Sequence, residues 1–80
     1  MGIYKLVVKR IQNLCEKKGI TPNGLGYDSG VSQSTIKSIL NGESQNPGIV
    51  TLKKLCDGLG VTICDFFDID DFRNLEQELK

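Results

Sequence analysis

The chain has no histidine and no tryptophan, and its aromatic residues are two tyrosines and three phenylalanines among 80 residues. Without histidine it lacks the usual proton-transfer group at neutral pH, and no activated nucleophile or cofactor box takes its place. No enzymatic role is expected. Only three cysteines are present, Cys15, Cys56 and Cys64. An odd number with no Cys-x-x-Cys pair argues against a disulfide framework, and a zinc site would need four thiolates or help from carboxylates. All three lie among apolar residues and are expected in the core. No apolar run approaches the length of a membrane span. The start lacks the apolar stretch and cleavage site of a secretory signal. Met1-Gly2 resembles an acylation start, but Leu6 stands where serine or threonine is needed. A cytoplasmic protein without a membrane partner is expected.

Net charge is also missing: ten basic groups balance ten acidic ones. The balance hides a gradient. Residues 1–40 carry six basic and two acidic groups, and residues 41–80 carry four and eight. One side of the domain can therefore face a polyanion while the other faces away, with a weaker electrostatic pull than a strongly basic binder has. The acidic cluster Asp65, Asp68, Asp70 and Asp71 does not make a calcium loop. Starting from Asp68, that loop needs glycine sixth and glutamate twelfth, where this chain has Arg73 and Leu79. Gly24, Gly26 and Gly30 do not make a dinucleotide loop either, because no strand precedes them and the spacing differs. No metal or cofactor is expected.

Eighty residues suffice for one small domain and leave no room for a separate ligand-sensing domain, so no small-molecule ligand is expected. Proline is rare, and the glycines fall where helices should end. A helix is predicted over Ile3 to Lys18, with Val7, Val8, Ile11, Leu14 and Cys15 along one stripe. Thr21 can cap a second helix, with Pro22 at its first position, where the missing N–H costs nothing. Gly30 ends it at Ser29. Ser32 can cap a third helix over residues 33 to 41. A fourth is predicted over Ile49 to Leu59, and a fifth over Ile63 to Phe67 behind Thr62. Beyond Asp68, the face shared by Phe72, Leu75 and Leu79 predicts a sixth.

Residues 21 to 42 are the most informative. Leu25, Val31, Ile36 and Ile39 form an apolar seam between the second and third helices, and Gly26 lets their backbones approach. Gln33, Ser34, Lys37, Ser38 and Asn41 share the outward face of the third helix. Amide, hydroxyl and ammonium groups on one helical face suit base edges in a DNA major groove.

This arrangement resembles the helix-turn-helix of the Cro and phage lambda-repressor (Xre) family. The resemblance rests on Thr21, Gly26, Gly30-Val31-Ser32, Ser34-Thr35-Ile36 and Asn41-Gly42. It extends downstream through Asn46-Pro47, Thr51-Leu52-Lys53-Lys54-Leu55, Leu59-Gly60-Val61 and Phe66-Phe67. It implies an all-α, compact five-helix domain over residues 1–68, with residues 69–80 as a short helical extension. It also implies a transcriptional regulator that binds double-stranded DNA. Gln33, Ser34, Lys37 and Ser38 are then the expected base contacts. Thr21, Tyr27, Thr35, Asn41, Ser44 and Asn46 are the expected phosphate contacts. Where many members have a phosphate-touching glutamine this chain has Pro22, and Tyr27 is the expected replacement. Where many members pair a buried arginine with a glutamate, this chain has Cys15 and Leu40, so the two are expected in apolar contact, both largely buried. One short helix reads too few base pairs to define a site, which points to a homodimer. Ile69, Phe72, Leu75 and Leu79 are its expected interface. An alternative use of the fold is a protein-interaction module such as an antitoxin or anti-repressor.

Overall fold

Three hydroxyl side chains start three of the helices. In a computed structural model that describes residues 2–78, the Thr21 hydroxyl accepts the Gly24 N–H at 3.1 Å. The Ser32 hydroxyl accepts that of Thr35 at 3.2 Å, and the Thr62 hydroxyl accepts that of Asp65 at 3.0 Å. Each bond satisfies a donor that the first helical turn would leave unpaired. The helices that result are α1 Ile3–Lys18, α2 Pro22–Ser29, α3 Gln33–Leu40, α4 Ile49–Leu59, α5 Ile63–Phe67 and α6 Asp70–Arg73. Among the described residues there is no strand. The all-α expectation holds, with α3 ending one residue early because Asn41 is its C-cap.

The turn between α2 and α3 depends on Gly30, whose φ of 71° is left-handed and unfavourable for any residue with a Cβ. It lets the chain reverse so that Leu25 faces Val31, Ile36 and Ile39, all four buried. The centre of the domain is built from Ile11, Leu25, Ile39, Leu55, Cys56 and Phe66, each less than 2% exposed. α2 packs most extensively on α4. The close point is Gly58, where a Cβ would sit 2.9 Å from the Ser29 backbone nitrogen. Gly26 plays a milder form of the same role, its Cβ position lying 3.3 Å from the Val31 carbonyl oxygen.

Two cations from the basic half of the chain are used to hold the fold. Arg10 donates to the carbonyls of Phe66 and Asp65, at 2.8 and 2.9 Å, tying α1 to α5. Lys18 donates to the Gly58 carbonyl and lies 3.5 Å from the Asp28 carboxylate.

Several sequence-based expectations need correction. Cys15 and Cys56 are buried, but Cys64 is exposed, because α5 is one short helix with Phe66 alone fully inward. Leu6, outside the expected stripe, is buried, whereas Val8 is only partly so. Cys15 lies in the core, while Leu40 is half-buried and packs against the core's edge. The expected helix through Phe72, Leu75 and Leu79 is a single turn ending at Arg73. Phe72 folds back onto Phe67, their ring centroids 4.9 Å apart at 67°, and Arg73 forks to Asp68 and Asp70. Poor helix formation by Asn74 and the acids Glu76 and Glu78 at the negative end of the dipole both oppose continuation. Ile69, Phe72 and Leu75 are each half-buried, and Leu79 lies outside the described residues.

Candidate nucleic-acid interface

The outward side of α3 and the N-terminal end of α2 border one open groove of about 420 Å³. Pro22 and Asn23 line it from α2, Gln33, Ser34 and Lys37 from α3, and Asn41 from the C-cap of α3, over a floor of Ile36 and Leu40. Gln33, Ser34, Lys37 and Asn41 are exposed, and Ser38 is half-buried. The structure thus brings Gln33, Ser34 and Lys37 together, and Asn23 joins them. Nothing in the pattern of outward residues on α3 pointed to Asn23; only the crossing of the two helices places it there.

The hydroxyls at the start of α3 form a chain. Ser32 donates to the Thr35 hydroxyl at 2.8 Å and accepts the Thr35 N–H. The Ser34 hydroxyl lies 3.3 Å from that of Ser32. Either of those two hydroxyls can be the donor between them. Thr35, which accepts from Ser32, keeps its own proton to give outward. Thr21, which accepts its capping bond, likewise keeps its own proton. An anionic phosphate oxygen only accepts, so Thr21 and Thr35 suit it.

The remaining expected phosphate contacts are more scattered. Tyr27 is 87% exposed on α2 and shares a small surface groove with Gly26, Val31, Ser32 and Gln33. Asn41 is partly committed: its amide donates to the Glu43 carboxylate and its carbonyl accepts the Glu43 N–H, both at 3.1 Å. Ser44 is half-buried and Asn46 exposed, both in the loop that follows. Tyr4 donates to the Ile39 carbonyl, which anchors the last turn of α3 to α1. No local pattern of residues announces that bond.

Comparison with known proteins decides what this geometry belongs to. A family model described as a Cro/C1-type HTH DNA-binding domain matches residues 10–71. The chain belongs to this family. It is 37% identical over 65 residues to the HTH-type transcriptional regulator SlrR of Bacillus subtilis, a match covering 80% of this chain and 43% of that protein. It is 36% identical over 62 residues to the uncharacterized HTH-type transcriptional regulator y4dJ of Sinorhizobium fredii, covering 78% and 79%. The chain thus spans under half the length of SlrR but most of y4dJ. Among solved structures, the prophage Lp1 protein 11 superposes with a TM-score of 0.80 at 28% identity, covering 92% of this chain and 97% of that one. The domain is therefore of a DNA-binding type, and α2, the turn and α3 are its helix-turn-helix. Among the described residues no helix is long and apolar enough to cross a membrane.

Proposed function

We propose that this domain serves a transcriptional regulator that recognises a specific double-stranded DNA sequence and acts by occupying it. α3 enters the major groove and α2 crosses the backbone above it. The single observation that carries this reading is the exposed Gln33–Lys37 edge of α3 beside the α2 N-terminus, in a chain of the Cro/C1 type. Gln33, Ser34, Lys37 and Ser38 face the bases. Thr21, Tyr27, Thr35, Asn41, Ser44 and Asn46 serve the phosphates. No enzymatic step is assigned, and the site of action is the cytoplasm. The functional unit is a two-fold dimer, with the half-buried edges of Ile69, Phe72 and Leu75 as its contact together with Leu79. Sedimentation at micromolar concentration, free and with a palindromic site, tests it: a chain that stays monomeric in both removes this arrangement.

The acidic second half supports one other reading, a module that holds a partner protein. Ile49 and Val50, 76% and 66% exposed at the start of α4, add an apolar surface to it. A titration with selected DNA at two salt concentrations separates the readings. A regulator binds more weakly as salt rises, by counterion release, whereas a protein-interaction module shows no specific DNA binding at either.

A further inference from the structure

The reading of α3 as a base-contacting helix leaves open which bases it selects, and the side-chain commitments on its surface narrow the choice. Four polar side chains border the groove from α3 and its C-cap. The Ser34 hydroxyl is paired with that of Ser32, and Asn41 is held at both ends of its amide by Glu43. Gln33 and Lys37 are exposed, and among the described residues no hydrogen bond or ion pair engages either side chain. A free amide at the end of a mobile side chain can give and take together, which matches adenine N6 and N7. A free ammonium only donates, and the one base that offers two acceptors in the major groove is guanine, at O6 and N7. The two residues are one helical turn apart, about 6 Å along the axis, against a base-pair rise of about 3.4 Å.

We infer that each half-site contains a guanine selected by Lys37, one or two base-pair steps from an adenine selected by Gln33. This rests on the DNA-binding reading above and adds to it the identity of the bases. Lysine at this place also disfavours cytosine, which presents only an amino donor, and matches adenine less well than guanine, because adenine offers it N7 alone beside a donor amino group.

The test is a binding-site selection with the purified chain and with Lys37→Gln, each checked for native helicity by circular dichroism. Wild type should enrich an adenine and a guanine at the stated separation. Lys37→Gln should lose the guanine preference and gain adenine at that position, keeping the Gln33 adenine. Replacing the selected guanine by 7-deazaguanine, which lacks the N7 acceptor, should weaken wild type about tenfold and leave Lys37→Gln unchanged. If Lys37→Gln selects the same guanine as strongly as wild type, the inference is wrong while the DNA-binding reading stands. Failure of wild type to enrich any sequence removes both.

Discussion

The helix-turn-helix of residues 21–42 and the C-terminal segment of residues 68–78 are both short stretches with apolar residues at helical spacing, yet they are built differently. In the first, α2 and α3 are each capped by a hydroxyl, and the apolar seam is fully buried. In the second, α6 has no side-chain cap, spans four residues and buries none of them fully. Local signal and tertiary burial agree in the motif. In the tail the apolar spacing is satisfied by three rings stacking edge to face rather than by a longer helix. Helical periodicity alone does not fix helix length; it needs a cap at one end and a surface to bury against along its length.

Mutations can sharpen or break that contrast, and the largest effect belongs to the common core. Phe66 is 0% exposed, so Phe66→Ala should cost about 3–5 kcal/mol. That is enough to leave a domain of this size largely unfolded in a thermal melt. Phe72→Ala, from the half-buried tail, should cost well under half as much in the same melt. Equal losses would mean that the tail is as integral as the core. Next comes Gly58→Ala, which pushes a Cβ against the Ser29 backbone and should cost about 1–3 kcal/mol by urea denaturation. A neutral result would show that α2 and α4 can slide apart freely. Removing the cap of α3 with Ser32→Ala should cost about 1 kcal/mol and should also free the Ser34 hydroxyl. If stability is unchanged in denaturant titration, the hydroxyl chain does not hold the helix.

The smallest effect concerns the thiols. Burial pushes the Cys15 and Cys56 thiols above their ordinary range. The folded state thus keeps those protons to higher pH than the unfolded chain does. Above about pH 8.5, where an unfolded thiol ionises, stability should decline as pH rises, with no thiol contribution to pH dependence below that. Thiol labelling of the native protein should modify the exposed Cys64 at the rate of a free cysteine and reach Cys15 and Cys56 only through unfolding. Rapid triple modification would contradict the core described here.

Much of this was legible in the sequence where the signal was local. Thr21-Pro22, Ser32 and Thr62 marked three helix starts, and Gly19, Gly30 and Gly60 marked ends, because capping depends on residues within one turn. What the sequence did not reveal depends on contacts across the chain. Arg10 counts in the sequence only as one of the six basic groups of residues 1–40, and its role as a tie to the carbonyls of α5 depends on a partner more than fifty positions away. Nothing local to α4 calls for Gly58, and only the crossing with α2 requires it. In the candidate site, the outward face of α3 was readable from its period. The commitment of Ser34 and Asn41 to their neighbours was not, since it depends on side-chain rotamers rather than on spacing.

The central claim is that the free edge of α3, led by Gln33, reads DNA bases. The most direct measurement is a fluorescence-anisotropy titration of wild type and Gln33→Ala, at one fixed salt concentration, on the selected operator and on a scrambled duplex. The account predicts that Gln33→Ala weakens operator binding by about 1–3 kcal/mol and leaves the scrambled duplex nearly unaffected. Equal operator affinity for the two proteins would contradict it.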